Sequence, residues 1–579
     1  MARTVRFICG LIAAGAVIFG LLYRPANYEQ TRNDDYWLLA LLVAGLALLG
    51  VFWAGRGGVF KSKRSLPPEE RLRHNVQRVS SVIIVAFLLI TLQLLREQVI
   101  MADEIEKPFN SVNAKGEAVT VQDPRVITEQ LANQRGRIFD ASGKEVAGIS
   151  ISKYGLVKRT YDPNSPIKQI LGYYSPLQFG NSGLEANYDD YLSGKAGSNP
   201  FLTLQRKLLN QPTVGNDLYL TIDPKLQQTA ANALGSVPGA IVLMDAKSGA
   251  VLAMVGYPNY NPADLVFDPT LDDSQWNQET QDIQARWNKL RDDKTNPLLV
   301  RPTQGLYTPG SIYKTVTLSG MLEFGKTTPD ATWDDKGFLV VNGTRINDPN
   351  RPNQNTTWTS KQGYMFSLNA VFAQMGLKLG KDDIINISDK YGFDQKLPFD
   401  IFTETSRVQN SDNFLDSQTA QAETGFGQGQ LQLTPLNAAL IAAAVGRGDG
   451  ILPKPYMVQQ IKTHDGALVK EAQPGTWLQA VRPETAKTMH DIMIASATDG
   501  WVGLNGGGLK GSGAVVGGKT GTAELGNNIN NAWYIAWASK GDRLFSIAVV
   551  VDHKAAGEGL RDAMPRANQV LLQALAGVK

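Results

Sequence analysis

Three apolar runs crowd the start of this chain: Phe7–Tyr23, Tyr36–Trp53 and roughly Val79–Leu95. Each is near the ~17–25 residues that a bilayer-spanning helix needs, so residues 1–101 read as a membrane region with three transmembrane helices at about 7–23, 36–53 and 79–95. Arg3 and Arg6 ahead of the first run also suit a secretory signal. However, no small-residue cleavage site follows and a second apolar run comes soon after. Cys9 follows Arg-Phe-Ile, which does not resemble a lipobox.

Charge in the loops sets the orientation. Between the second and third runs lie Arg56, Lys61, Lys63, Arg64, Arg71, Arg73 and Arg78, opposed by Glu69 and Glu70. The first loop mixes Arg24 and Arg32 with Glu29, Asp34 and Asp35. The positive-inside rule therefore predicts a cytoplasmic N-terminus and second loop, with everything after about residue 100 outside. The third run is the least apolar, with Thr91 and Gln93 inside it and Arg96 beside it. If it does not span, the large remainder is cytoplasmic.

At 579 residues the chain has room for two or three domains. Its 57 basic and 54 acidic residues leave a charge of +3, no basis for nucleic-acid binding. A single cysteine excludes a disulfide framework and a cysteine metal cluster. His74, His464, His490 and His553 show no HExxH-like spacing, which argues against a metal and against a Ser-His-Asp triad. No cofactor is expected.

Beyond Ala102 a polar stretch with Pro108, Asn110 and Gly116 reads as a linker. Asn133–Asp140, the turn Ala-Ser-Gly143 and the apolar continuation predict strand, turn, strand. Leu184–Leu192 and Pro224–Leu234 predict helices, and Asp217–Ile222 a strand. Ala240–Asp245 and Ala250–Val255 flank a turn and predict a hairpin. From about 262 to 500 the chain is mostly helical and loop-like. Ala532–Trp537 and Leu544–Val551 then predict strands. Two strands, a helical region and closing strands imply an α/β domain whose sheet is completed by distant segments. The boundaries so drawn are 102–236 for a small, mostly-β domain and 237–579 for the larger one.

Within the larger domain, Gly305-Leu-Tyr-Thr-Pro-Gly-Ser311-Ile-Tyr-Lys314 places a serine and a lysine three residues apart at a helix start. The helix dipole and burial would both lower the lysine's proton affinity, and a neutral amine could activate the hydroxyl. The pattern alone is equally that of a helix cap beside a solvated lysine, and it recurs at Ser150/Lys153 and Ser165/Lys168. Two further motifs separate the readings. Lys519-Thr520-Gly521 occurs once, inside the small-residue strand Val515–Glu524. Between them, a serine-x-asparagine appears as Ser367-Leu-Asn369 and as Ser411-Asp-Asn413. The first leads directly into Ala-Val-Phe-Ala-Gln-Met-Gly376, with helical apolar spacing, so Ser367 and Asn369 are selected. The second sits in a polar loop.

In this order the three motifs resemble those of the penicillin-binding transpeptidases. Arg135-Gly-Arg-Ile, Leu171-Gly-Tyr, Ser182-Gly-Leu-Glu185, Gly427-Gln-Gly429, Leu433-Thr-Pro-Leu436 and Ala532-Trp-Tyr add to the resemblance. It extends over nearly all of 130–579, and is closest to class B members of the actinobacterial penicillin-binding protein A type. The resemblance implies a penicillin-binding/serine β-lactamase-like fold: an antiparallel sheet with helices and an all-helical subdomain, after a mostly-β pedestal. It implies peptidoglycan D,D-transpeptidase activity, with Ser311 as nucleophile, Lys314 as its base and Ser367 as proton relay. Asn369 would bind substrate and position Lys314, and Lys519, Thr520 and Gly521 would hold the terminal carboxylate. Thr522 would share an oxyanion hole with Ser311. β-lactams would act as inhibitors, and a membrane polymerase of the shape, elongation, division and sporulation type as partner. An outer-face substrate in turn requires the third run to span. Family members usually carry one anchor, where this chain has three apolar runs.

Other functions fit less well. The stretch between the third run and Gly239 is too short for an added glycosyltransferase. A membrane β-lactam sensor would resemble a zinc protease in its membrane part, and HExxH is absent. A D,D-carboxypeptidase would use the same serine acylation.

Overall fold

A computed structural model describes residues 2–23, 35–54, 67–97, 109–112, 118–121, 130–197, positions 199, 201, 205, 206 and 209, and 211–578 except 350. The loops 24–34 and 55–66, on which the orientation rests, and most of the expected linker after Ala102 lie outside the described residues. The chain divides into two compact units, Met1–Gln130 and Leu131–Lys579.

In the first unit the apolar runs form helices Ala2–Leu22, Asp35–Ala54 and Pro68–Leu95. All three are long and apolar enough to cross a membrane. The third begins well before the expected residue 79. Apolarity marks only its later part, and nothing breaks the helix until Pro67, after which Pro68 occupies the first turn. Two of the polar residues that weaken this run, Gln93 and Arg96, join the helices together. Gln93 accepts a hydrogen bond from the Trp37 indole, and the Arg96 guanidinium lies 4.7 Å from that ring's centroid and donates to the Gly20 carbonyl at 3.0 Å. Polar groups inside an apolar bundle are retained where they find such partners.

The second unit is built on a five-stranded antiparallel sheet. Its order is Val251–Tyr257, Gly239–Asp245, Arg543–Ala555, Ile529–Lys540 and Val515–Glu524. The apolar runs of these strands are nearly continuous because both faces are covered. Ala240, Val242, Met244, Trp533, Ile535 and Trp537 point into one core. The alternate residues Ile241, Leu243, Tyr534, Ala536, Phe545 and Ile547 point into another. Helices Pro224–Leu234 and Met564–Ala576 close that second core. The first core continues into the helical region, whose middle is helix Lys314–Glu323. Its first eight residues, Lys314 to Met321, are all buried, so it lacks a solvent face.

A second sheet contains Ile138–Phe139, Glu145–Ile151, Val157–Tyr161 and Asp217–Leu220. Its remaining strands, Val458–Lys462 and Leu468–Glu471, come from far later in the chain, with Ile461 opposite Leu218. The expected helix Leu184–Leu192 is two short turns, Gly183–Asn187 and Asp189–Leu192, separated at Tyr188 with φ −111° and ψ 20°.

Beside this sheet sits a buried charge cluster. Glu185 accepts from Arg135 Nε and Arg159 Nε, each at 2.6 Å, and from the Tyr161 hydroxyl at 3.1 Å. Burial alone would raise the Glu185 carboxyl, but the two guanidiniums overcome it and hold the group below its usual range. Substituting Glu185→Gln leaves the buried Arg159 guanidinium without a carboxylate and Arg135 with Asp189 alone, at 2.7 Å, and breaking a buried pair costs about 3–5 kcal/mol. A clear fall in the thermal unfolding midpoint is expected; an unchanged midpoint rejects a structural role for the cluster.

Candidate active site

Ser311 lies in the single turn Gly310–Tyr313, a 3₁₀ segment leading straight into helix Lys314–Glu323. Gly310 has φ +56°, and a Cβ there would come within 2.7 Å of the Thr522 carbonyl oxygen. Gly521, on the facing strand, has Pro309 O at 2.8 Å from where its Cβ would be. These two glycines let the strand Val515–Glu524 press its backbone against the turn that carries the serine.

The second motif enters between them. Ser367 has φ +60°, a left-handed conformation that costs a non-glycine residue free energy and is kept where surrounding contacts demand it. Its backbone N–H donates to Tyr364 O at 3.1 Å, and helix Asn369–Lys390 starts immediately after.

The three motifs meet at the Ser367 hydroxyl. Lys314 Nζ lies 3.3 Å and Lys519 Nζ 2.8 Å from Ser367 Oγ. Lys314 also donates to Ser367 O at 2.7 Å and to Asn369 Oδ1 at 2.8 Å, and Lys519 to Thr520 O at 3.0 Å. Both lysines are fully buried, with Phe372 and Tyr364 rings 5.4 and 5.6 Å from their respective ammonium nitrogens. Burial pushes the Lys314 ammonium down to about 7, against the pull of the Asp348 carboxylate. Lys519 is driven well below its ordinary value by burial and by repulsion from Lys314. Lys314 is thus poised to give and take a proton near neutrality.

Above the lysines opens a cavity of about 990 Å³, lined by Ser311, Ser367, Asn369, Thr520, Gly521 and Thr522 among others. All eight residues singled out in the sequence therefore line or underlie one place. Ser411, of the rejected triplet, is exposed in a loop and belongs to none of this. Ser150 is on a strand of the second sheet, and Ser165 lines a separate 480 Å³ cavity without any motif residue. Among the described residues no group of histidine, cysteine or carboxylate side chains could hold a metal.

Sequence reasoning missed Asp348. It is buried, it hydrogen-bonds the start of helix Asn369–Lys390, and it is pushed up to about 6 by burial, with Lys314 drawing it back. Asn347-Asp-Pro349 reads locally as a turn, and only the packing reveals its partner. Arg345, Glu423 and Trp501 also line the cavity and carry no motif.

A serine at a helix start, sharing a cavity with a second serine that two desolvated lysines contact at an antiparallel sheet edge, is the arrangement of a serine acyltransferase of the α/β class. The profile of the penicillin binding protein transpeptidase domain matches residues 239–572, and that of the penicillin binding protein A dimerisation domain matches 135–218. This chain belongs to the penicillin-binding protein transpeptidase family. It is 28% identical over 460 residues to the peptidoglycan D,D-transpeptidase PbpA of Mycolicibacterium smegmatis, covering 76% of this chain and 88% of the relative. Penicillin-binding protein A from M. tuberculosis, solved as an imipenem acyl-enzyme complex, superposes with a TM-score of 0.68 at 26% identity, covering 77% of this chain and 99% of that one. The D,D-transpeptidase domain of a peptidoglycan glycosyltransferase from Eggerthella lenta gives 0.65 at 29% identity, with 77% and 99% coverage.

Proposed function

We propose that the chain is a peptidoglycan D,D-transpeptidase in which Ser311 forms the acyl-enzyme, and that β-lactams acylate the same hydroxyl. The observation that carries this reading is the junction of Lys314, Ser367 and Lys519 at one half-buried oxygen in the cavity that Ser311 also lines. Lys314 takes the Ser311 proton as Oγ adds to the carbonyl between the two terminal D-alanines of a stem peptide. The backbone N–H groups of Ser311 and Thr522 receive the oxyanion. The C–N bond breaks, Ser367 Oγ passes the proton to the leaving D-alanine, and the ester remains on Ser311. A stem-peptide amine then attacks that ester, an amide cross-link forms, and the serine regains its proton. Lys519, Thr520 and Gly521 hold the terminal carboxylate, and Asn369 holds the donor peptide while fixing Lys314.

In this reading residues 1–101 hold three transmembrane helices with the N-terminus cytoplasmic, 102–236 form the pedestal, and 237–579 form the extracytoplasmic transpeptidase domain. A membrane polymerase of the shape, elongation, division and sporulation type is the proposed partner, testable by co-purification from solubilised membranes. Intact cells treated with a membrane-impermeant fluorescent penicillin test site and topology together. One adduct is expected, on the peptide containing Gly310–Lys314. An adduct elsewhere overturns Ser311, and labelling that requires lysis overturns the topology.

A further inference from the structure

Helix Asn369–Lys390 carries the second motif at its very start, yet the residue at its cap position is Leu368, whose side chain has no oxygen to offer. The first N–H groups of the helix are instead taken by a carboxylate from another part of the chain. Asp348 Oδ2 accepts from Ala370 N at 2.6 Å, and Asp348 Oδ1 accepts from Asn369 N. The adjacent Asn347 carbonyl accepts from Asn369 Nδ2 at 3.2 Å. Asn369 is therefore gripped by backbone and side chain at once, with its Oδ1 left to receive Lys314 at 2.8 Å.

The carboxylate is itself fixed. Strands Phe338–Val341 and Thr344–Asn347 form a hairpin, and Asp348 follows directly, its N–H donating to Gly337 O at 2.9 Å. Lys314 acts on Asp348 from its helix and Asp335 from the preceding turn. Arg351 donates to the Asp335 carbonyl at 3.1 Å, and Lys519 acts on Lys314 from the sheet edge. Asp348 is the one carboxylate acting on Lys314.

We propose that Asp348, outside all three motifs, is a positioning residue of the transpeptidase site. Its carboxylate holds strained Ser367 and Asn369 in register with Lys314 and supplies the negative charge that Lys314 feels. The proposal rests on Ser311 and Lys314 acting as described above. Two effects follow from removing the charge, and they have different signatures. Loss of the anchor loosens Ser367 and Asn369, so the maximal acylation rate falls. Loss of the carboxylate removes the negative charge that favours the Lys314 ammonium, so Lys314 gives up its proton at lower pH and the acid limb moves down.

The test follows acylation of the purified full-length chain by a fluorescent penicillin between pH 5 and 9. For Asp348→Asn, a plateau rate lower by on the order of 10- to 100-fold is expected, with the midpoint of the acid limb about one unit lower. A wild-type plateau overturns the proposal, and so does a lowered plateau with an unmoved midpoint, because a merely structural residue produces that pattern. Should Asp348→Asn not fold, Asp348→Glu decides, since it keeps the charge and changes its reach. A slower plateau at the wild-type midpoint supports the proposal; a shifted midpoint or a wild-type rate overturns it. Failure of the underlying reading shows separately, as label that survives Ser311→Ala.

Discussion

Ser311→Ala is expected to abolish covalent labelling by penicillin while leaving a folded protein. Removing a serine nucleophile costs acyl transfer a factor on the order of 10^6, which places the variant below detection in any gel assay. The fold should be indifferent, because the turn Gly310–Tyr313 is shaped by Gly310 and by burial of Ile312 and Tyr313, at 1% and 2% exposure. The Ser311 hydroxyl lines the cavity and contributes little to that packing. The measurement is fluorescence per folded molecule, with circular dichroism as the folding control. Equal labelling of variant and wild type sinks the assignment.

Lys314→Met should be the next most damaging change. Methionine keeps an unbranched chain at this fully buried position and removes the base, worth typically ~10²–10⁴-fold. The pH profile is the sharper readout. Only the neutral amine can accept the Ser311 proton, so the wild-type rate should rise as pH increases through about 7, the value to which burial brings Lys314. In the variant that limb should vanish and leave a low rate across the range. A limb near pH 7 that persists in Lys314→Met assigns the titration to another group and rejects Lys314 as the base. The substitution also leaves Ser367 O and Asn369 Oδ1 without a donor, a cost of about 1–3 kcal/mol per unsatisfied group, so thermal melting belongs beside the kinetics.

Local signals carried much of the architecture. Helix Pro224–Leu234 has the bounds its sequence announces, because Asp223 caps it, accepting from Lys225 N at 2.8 Å, and Pro224 opens it. The 239–257 hairpin and the two closing strands stand out as apolar runs, since both their faces are covered. Choosing Ser367 over Ser411 rests on its distance along the chain from Ser311, on the polar surroundings of Ser411 and on the apolar spacing after Asn369, which becomes a buried helix face at Val371, Phe372 and Met375. What escaped reading depends on partners distant in sequence. Gln460 and Glu471 sit in short, half-polar strands that pair with each other, and the pairing of Val458–Lys462 with Asp217–Leu220 has no local mark. The pairs Thr332–Asp334 with Thr357–Thr359, and Phe338–Val341 with Thr344–Asn347, are small strands inside a stretch that reads as helix and loop. Asp348 is the clearest case, because its partners, the N–H groups of Asn369 and Ala370 and the Lys314 ammonium, are distant from it in sequence.

The second sheet has a consequence for how the protein is made. Its strand Asp217–Leu220 waits for Val458–Lys462, and Gly239–Asp245 likewise waits for Arg543–Ala555. A chain emerging from its N-terminus therefore holds two strand edges open until these later segments have been synthesised, and such edges are where nascent proteins associate wrongly. Neither sheet is complete until a strand from much later in the chain arrives, so both wait on late synthesis to close.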